Sequence, residues 1–155
     1  MQEIDVHIFY LGKKNVVLDQ KDLAHQGIFS QSLSAFERLW RQELEPIRIT
    51  RGYIGMDEVR LDSRTPNLDI LLKEYFQEHC HEAEEIRFVT HGTGVFDVRN
   101  LHNQWIRIYV APGDLLVIPA QRFHRFTLDA NQFIVMKRLY KSMDGWDPII
   151  RETLN

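Results

Sequence analysis

The sequence predicts a mainly β protein, an antiparallel sandwich or barrel with helices from the N-terminal half packed outside it. From about residue 80 onward, apolar residues recur with period two in six short segments separated by Gly, Pro, Asn or Asp, which is typical of antiparallel strands. Helical spacing occurs only before that point. Because no linker or repeat divides the 155 residues, we expect one domain, with strands and helices over 1–78, a barrel over 79–140 and a C-terminal loop over 141–155.

The N-terminal elements follow from short alternating and helical patterns. Their predicted bounds are, in order, strand Ile4–Tyr10, turn Gly12–Lys14, strand Asn15–Leu18 and helix Ser32–Glu43. The helix has one apolar stripe, formed by Leu33, Phe36, Leu39 and Trp40. We expect Ser30 or Ser32 to cap this helix and Pro46 to close it, because a serine hydroxyl accepts from a free N–H and proline lacks the N–H that would extend the helix.

A second helix is predicted over the stretch LDILLKEYFQEH. Thr65 is a candidate N-cap and Pro66 suits the first helical position. One face of this helix carries the apolar residues Leu68, Leu71, Leu72, Tyr75 and Phe76, so we expect that face to be buried. The helix would lead the chain directly to His79.

The six predicted strands of the barrel are EIRFVTH, GVFDVR, QWIRIYV, DLLVIPA, FHRFTL and QFIVMKRL. Each is rich in β-branched and aromatic residues. The last segment, KSMDGWDPIIRETLN, contains Gly145 and Pro148 and has no clear period. We therefore expect it to be irregular and to lie across the barrel surface or its mouth.

Composition excludes several classes of function. The formal charge of −3 arises from 19 basic and 22 acidic side chains mixed along the chain, so we expect no nucleic-acid partner. No apolar run approaches the roughly 20 residues that cross a bilayer, and the N-terminus lacks the pattern of a secretory signal. We expect no membrane partner, a cytoplasmic protein and a monomer. The single cysteine, Cys80, excludes an internal disulfide.

Two histidines and a glutamate near the start of the barrel have the spacing of metal ligands. His79, His81 and Glu85 have the same parity, so they would share one face of an extended chain. Two imidazoles and one carboxylate suit Fe(II), Ni(II), Mn(II) or Zn(II) better than calcium or magnesium. A fourth candidate, His124, follows a turn at Gly113 and a strand that could place it beside the first three.

The remaining histidines have no such partners in the sequence. We expect His7, His25, His91 and His102 to be ordinary surface or hydrogen-bonded side chains. Cys80 has the opposite parity from its neighbours and should point away from the metal as a small packing residue.

These residues resemble the two motifs of the cupin family. The first motif is matched by His79-x-His81-x3-Glu85-x6-Gly92, and the second by Gly113-x5-Pro119-x4-His124. The chain departs from the motifs at turn and packing positions, where Lys73 and Gln121 replace glycine and Leu128 replaces asparagine. Within the cupins, the chain resembles the acireductone dioxygenases of methionine salvage from about Arg51 to Trp146. The resemblance is densest in EYFQEHCHEAEEIRFVTHGTGVFDVR, QWIRIYVAPGDLLVIPAQRFHRFTLD and MKRLY.

The resemblance implies a cupin fold, the double-stranded β-helix or jelly-roll barrel, and one Fe(II) or Ni(II) ion per chain. The implied ligands are His79, His81, Glu85 and His124, with two positions left for substrate oxygens. The implied substrates are acireductone, 1,2-dihydroxy-3-keto-5-methylthiopentene, and O2. The iron form would give formate and 4-methylthio-2-oxobutanoate, and the nickel form carbon monoxide, formate and 3-methylthiopropanoate.

Two arginines are candidates to neutralise the dianionic substrate. Arg87 shares the strand face of Glu85 and Arg138 lies on the last barrel strand; both match arginines that the family places near the metal. An inward arginine is costly to desolvate unless it meets an anion. The resemblance also implies that Tyr75, Phe126 and Trp146 form the pocket for the methylthio tail. Glu84 is a candidate proton acceptor, although its parity points away from the metal.

Two other hypotheses stay open on the sequence alone. A different cupin enzyme, such as an isomerase or another small-molecule dioxygenase, would keep the four ligands without needing Arg87, Arg138 and Trp146 together. A non-catalytic cupin used for binding or sensing often lacks one or more ligands, whereas all four are present here.

Overall fold

Two antiparallel sheets and three helices make up the part of the chain that the structure describes. The computed structural model describes residues 8–152, without the side chains of residues 14 and 15. The helices are α1 (Gln20–His25), α2 (Glu37–Arg51) and α3 (Leu68–Phe76). The strands are β1 (Ile8–Tyr10), β2 (Lys13–Val17), β3 (Phe29–Ser32), β4 (Gly55–Leu61), β5 (His79–Cys80), β6 (Glu85–Gly92), β7 (Gly94–Arg99), β8 (Trp105–Val110), β9 (Asp114–Ile118), β10 (His124–Thr127), β11 (Ile134–Tyr140) and β12 (Ile149–Ile150).

The two sheets face each other across a shared apolar core. One has seven strands in the order β12-β5-β10-β7-β8-β1-β2, and the other has five in the order β3-β9-β6-β11-β4. The predicted mainly β architecture is confirmed, and each of the six predicted barrel strands is present as one of β6 to β11. The division of the chain into one domain with parts 1–78, 79–140 and 141–155 stays a prediction.

The core has two parts, one on each side of the five-stranded sheet. Between the sheets, Phe96 and Ile106 of the first meet Leu116 and Ile118 of the second. On the outer side, Trp40 and Leu44 of α2 pack against the five-stranded sheet. The whole cluster there consists of Trp40, Leu44, Tyr53, Ile86, Phe88, Leu115, Val117 and Leu139. The helix therefore closes the back of the sheet that carries β6.

Alternation along β6 determines which of its residues reach the inside of the barrel. Ile86 and Phe88 pack beneath α2. Since neighbouring residues of a strand point to opposite faces, Glu85 and Arg87 point the other way, where both line a cavity between the sheets.

The first predicted helix was wrong at both ends. Ser32 belongs to β3, which pairs with β9, and the helix begins at Glu37 after an N-cap residue, Phe36, whose side chain makes no capping bond. The helix continues through Pro46 to Arg51. Proline is tolerated there because Pro46 lies on the solvent side, where water can bond the carbonyl that the missing N–H leaves free.

Smaller differences also concern element ends. In the first hairpin, the turn lies at Leu11–Gly12 and β2 already begins at Lys13; Ile4 and Val6 fall outside the described residues. The second helix starts after Asn67, not at Pro66. The expectation of a buried face was met only in part: Leu68, Leu72 and Tyr75 are partly buried against the core, and Phe76 is 39% exposed.

Five elements were not predicted, and each is short or lies at a sheet edge: α1, β3, β4, β5 and β12. The prediction of an irregular C-terminal segment was wrong for Ile149 and Ile150, which pair with Cys80 and His79 of β5. Its predicted place across the barrel surface or mouth stays a prediction; Trp146, Pro148 and Ile150 line the cavity between the sheets. Within residues 8–152, no helix has the length and apolar character needed to cross a membrane.

Candidate metal centre and substrate cavity

The four side chains singled out from the sequence meet at one end of the barrel. His79 of β5 and His124 of β10 are opposite each other in the antiparallel register. His81 follows β5, and its backbone carbonyl accepts from Gln121 N at 2.7 Å, which ties it to the loop before β10. Glu85 is the first residue of β6 in the other sheet. The site therefore bridges the two sheets.

Distances within this cluster suit one bound ion. The candidate ligand atoms of His79, His81 and His124 all lie within 4.8 Å of one another. The Glu85 carboxylate closes the fourth side, with Oε2 at 2.8 Å from His124 Nε2 and Oε1 at 3.7 Å from His81 Nε2. The three histidines form a candidate metal site, and the role of Glu85 beside them stays a prediction.

Backbone carbonyls set the tautomer of two of these histidines. The Nδ1 of His79 lies 2.6 Å from Gln77 O, and the Nδ1 of His124 lies 2.9 Å from Arg122 O. Since a carbonyl only accepts, each Nδ1 carries the proton and each Nε2 is free to bind a cation. Hydrogen bonds of this kind orient the histidine ligands of metal sites.

Two ring nitrogens in the cluster lack a hydrogen-bond partner although they are buried: His81 Nδ1 and His124 Nε2. Buried polar atoms are rarely left so. His124 Nε2 also contacts a carboxylate oxygen of Glu85 without hydrogen-bonding geometry. A cation bound by His124 Nε2 and the Glu85 carboxylate would satisfy that nitrogen. The residues present thus fit a metal ion, and a nitrogen-rich donor set with one anionic oxygen favours a divalent transition metal.

The charge states of the cluster agree with this fit. Burial lowers the pKa of His79 and of His81, so both are neutral donors near neutral pH. Burial on its own would raise the pKa of Glu85, but Arg87 and His124 outweigh it and hold the pKa well below its ordinary value. For His124, burial is outweighed by Glu85, which raises the pKa of the imidazole. His79 and His81 therefore offer neutral nitrogens, Glu85 is ionised, and His124 shares its charge interaction with that carboxylate.

A cavity of about 420 Å³ opens beside the four side chains. Its polar lining residues are Glu74, Gln77, His79, His81, Glu85, Arg87, His124 and Arg138. Its apolar wall includes Val59, Leu61, Tyr75, Phe96, Phe126 and Met136, and the C-terminal segment adds Trp146, Pro148 and Ile150. A small molecule with one charged and one apolar end matches this division.

Both predicted arginines line the cavity. Arg87 is only 17% exposed and donates through Nη2 to Glu85 Oε1 at 2.8 Å. Arg138 is the register partner of Arg87 on the neighbouring strand. It donates through Nε and Nη2 to the carboxylate of Asp57 at 2.9 and 2.5 Å.

The three predicted pocket aromatics line the same cavity. Tyr75 and Phe126 meet edge to face, with ring centroids 6.5 Å apart. Trp146 lies over the guanidinium of Arg138 at 4.3 Å. Their role in holding a substrate tail stays a prediction.

Glu84 lies apart from the main cavity, on a separate small one of about 60 Å³ that it shares with His81, Arg87 and Arg138. Its carboxylate pairs with Lys141 Nζ at 2.8 Å and with Arg51 Nη2 at 3.6 Å. Its suggested role as a proton acceptor stays a prediction.

The other histidines lie away from the centre. His25, His91 and His102 are exposed, and His7 lies outside the described residues. Cys80 is 4% exposed, packs in the interior and is absent from the cavity wall.

Sequence reasoning missed several residues of the site. Val59 and Leu61 reach the cavity from β4, an edge strand whose mostly exposed residues mask its period. Gln77, which orients His79, acts through its backbone carbonyl, so its side-chain type carried no signal. Asp57 could have been found only by pairing β4 with β11.

Comparisons with a family model and with curated proteins identify the same family. A model described as the ARD/ARD' family matches residues 9–148. A curated relative from Heterostelium pallidum, "Acireductone dioxygenase", is 47% identical over 112 residues, which cover 72% of this chain and 77% of the relative. "Acireductone dioxygenase 2" of Vitis vinifera is 41% identical over 140 residues, 90% of this chain and 69% of the relative.

Among solved structures, the chain is similar to an acireductone dioxygenase from Bacillus anthracis with a cadmium ion in its active center. The TM-score is 0.76 at 27% identity, over 84% of this chain and 87% of that one.

Proposed function

Because this chain belongs to the ARD/ARD' family, we propose that it is a metal-dependent acireductone dioxygenase, which cleaves acireductone with O2 in methionine salvage. One observation carries the proposal: three imidazoles and a carboxylate converge on a cavity that is also lined by two guanidiniums and by aromatic rings. An enediol with a methylthio tail has the matching division between a charged and an apolar end.

We propose that His79, His81, Glu85 and His124 hold one Fe(II) or Ni(II) ion. When bound, the metal supplies Lewis acidity and a template for the enediolate oxygens. The cadmium ion in the active center of the Bacillus anthracis protein supports a divalent metal in this family. With iron, the expected products are formate and 4-methylthio-2-oxobutanoate. With nickel, they are carbon monoxide, formate and 3-methylthiopropanoate.

Arg87 and Arg138 would favour the ionised form of the substrate. Both guanidiniums lie on the polar wall, and an arginine stays protonated throughout the working pH range. Positive charge in a partly desolvated cavity lowers the free energy of an anion much more than it does in water. The two arginines therefore promote loss of the enediol protons, which makes the substrate electron-rich enough to react with O2. Glu84, across the small second cavity, is a candidate acceptor for one of these protons.

The apolar wall would bind the methylthio tail. Tyr75 and Phe126 place their rings together, and Met136 and Leu61 complete the surface. Sulfur makes favourable contacts with aromatic rings. Trp146 at the mouth would then limit access of water to the bound substrate.

The decisive experiment loads metal-free protein with Fe(II) or Ni(II) under argon, adds acireductone and O2, and identifies the products. Metal-dependent consumption of O2, with formate and the keto acid for iron and carbon monoxide for nickel, is the expected result. Turnover no faster than spontaneous oxidation of acireductone would refute the proposal. A His25→Ala protein, altered at an exposed histidine outside the cavity, is the control for handling of the apoprotein.

The monomeric state and the cytoplasmic location stay predictions. Size-exclusion chromatography of the metal-loaded protein with light scattering tests the first.

A further inference from the structure

Two neighbouring carboxylates on β4 pair with two neighbouring cations on β11. Asp57 is the register partner of Arg138, and Glu58 that of Lys137. Both ion pairs are short, at 2.5 and 2.9 Å. Because successive strand residues point to opposite faces, only one of the two cations lies in the cavity: Arg138 lines it, whereas Lys137 does not.

The guanidinium of Arg138 is held on one edge and one face. Its Nε and Nη2 donate to the two carboxylate oxygens of Asp57, and its Cζ lies 4.3 Å from the centroid of the Trp146 ring. Nη1 has no hydrogen-bond partner among residues 8–152. A bidentate carboxylate fixes the plane of a guanidinium, so the free nitrogen is kept available to a ligand in the cavity.

Arg138 would not keep this position by itself. Its register partner on the neighbouring strand is Arg87, and the two like charges repel each other. The side chain of Arg138 is 31% exposed, so solvent offers an alternative place for its charge. Asp57 attracts both guanidiniums and opposes this repulsion.

Trp146 depends on the same arrangement. Its ring packs edge to face on Tyr140, with centroids 5.2 Å apart. Tyr140 lies across Gly55, where a Cβ atom would be 2.2 Å from the Tyr140 ring. Trp146 is thus held between Tyr140 on one side and Arg138 on the other, and it gains a cation–π contact only while Arg138 stays in place.

We propose that Asp57 is a positioning residue for the substrate: it holds Arg138 between its own carboxylate and Trp146, and so sets the affinity for the anionic enediol. This inference rests on the proposed function. Asp57 itself is absent from the cavity wall, so it acts through Arg138 and not by touching substrate.

The test compares Asp57→Asn with Glu58→Gln, which removes a carboxylate from the adjacent ion pair on the opposite face. Each protein is loaded with Ni(II) and titrated with acireductone without O2, and its KM and kcat are then measured with O2. We expect Kd and KM to rise about tenfold in Asp57→Asn, equivalent to about 1.4 kcal/mol, with kcat changed less than about twofold because Arg138 is still present. Metal content should equal that of wild type, and Glu58→Gln should match wild type throughout.

An Arg138→Ala background identifies the route of the effect. If Asp57 acts through Arg138, adding Asp57→Asn to Arg138→Ala causes no further loss of affinity. Equal Kd values for Asp57→Asn and Glu58→Gln, or additive effects in the double variant, would overturn the inference while leaving the proposed function intact. A wild-type protein that binds metal but not the enediol would overturn both. Thermal unfolding of both single variants checks that each is folded, since exposed ion pairs contribute little to stability.

Discussion

His79 and His124 face each other across antiparallel strands, and each directs its Nδ1 at the backbone carbonyl two residues earlier, Gln77 O at 2.6 Å and Arg122 O at 2.9 Å. The same local device thus orients both rings from opposite sides of the site. Their Nε2 atoms are presented to a common point, which His81 and Glu85 approach from the loop and from the second sheet. Backbone carbonyls thus make this arrangement.

His81→Ala should abolish stoichiometric metal retention. His81 is 15% exposed and lies outside regular strand structure, so its loss should leave the barrel folded. The affinity should fall by more than the roughly 10- to 100-fold that follows loss of a ligand's hydrogen-bond partner. Metal per chain after gel filtration, with far-UV circular dichroism, measures both expectations. His102→Ala is the matched control, and retention of one metal ion by His81→Ala would show that the ligand assignment is wrong.

Arg87→Lys should lower kcat/KM even though it keeps the charge. A lysine cannot reproduce the bond to Glu85 and present a second donor edge to the substrate at the same time. Since a hydrogen bond to a charged group contributes about 1.5–3 kcal/mol, the expected loss is roughly ten- to a hundredfold.

Arg107→Lys is the control for Arg87→Lys, because Arg107 pairs with buried Asp97 away from the cavity. Steady-state kinetics on the metal-loaded proteins measures kcat/KM for both variants. Equal kcat/KM values for the two variants would contradict a role of Arg87 toward substrate.

Phe126→Leu should weaken binding of the methylthio tail. Phe126 is 7% exposed and packs on Phe96 and Tyr75, and leucine keeps the site apolar while removing the ring. A small change in an apolar pocket is worth about 1–3 kcal/mol, so KM should rise roughly tenfold or more. An acireductone analogue without the methylthio group serves as the comparison, because its KM should barely change. If both substrates were affected equally, the tail would bind elsewhere.

Gly55→Ala should disturb the cavity mouth from a distance. The new Cβ would meet the Tyr140 ring at 2.2 Å, and Tyr140 carries Trp146. Overpacking of this kind costs about 1–3 kcal/mol, so the unfolding midpoint should fall and the KM for acireductone should rise. Adding Tyr140→Leu removes the clash, and the double variant should be more stable than the sum of the two single changes predicts. Additive losses of stability would argue against the contact.

The ion pair of Asp57 should give stability that disappears in acid. The hydrogen bonds from Arg138 lower the pKa of Asp57 from its ordinary value of 3.8. A carboxyl group with a lowered folded-state pKa stabilises the protein above its unfolded-state pKa, and this contribution is lost as pH falls through the folded-state pKa. The difference in unfolding midpoint between metal-free wild type and Asp57→Asn should therefore be constant near neutral pH and shrink below about pH 4. A difference that grows on acidification would contradict this sign.

The elements that sequence reasoning predicted well are those with a strong local pattern. The segment GVFDVR became β7 with its ends as predicted, because apolar period two and flanking glycine act within a few residues. The prediction that Pro46 ends the helix was wrong because the effect of a proline depends on tertiary packing and not on local sequence alone. Its cost depends on whether the carbonyl one turn earlier faces water, and that was decided by the packing of Trp40 and Leu44 against the second sheet.

The candidate ligands also differ in how far local sequence could predict their positions. His79, His81 and Glu85 could be proposed from spacing within seven residues of chain, since their chemistry and their parity are both local properties. Their approach to His124 depends on the pairing of β5 with β10. Strand β5 has only two residues, which are too few to show a strand pattern in the sequence.

The sequence by itself determined the β architecture and which histidines, glutamate and arginines are candidates for the site. Residue type and the alternation of apolar residues along a strand are local properties, so both can be seen in short stretches of sequence. Only the tertiary structure decided that Asp57 holds Arg138, that β4 supplies Val59 and Leu61 to the cavity and that Ile149 and Ile150 pair with β5. These relationships join residues as far apart as the 81 positions between Asp57 and Arg138. Contacts at that separation depend on which strands become neighbours in a sheet, which is set by burial of the whole core.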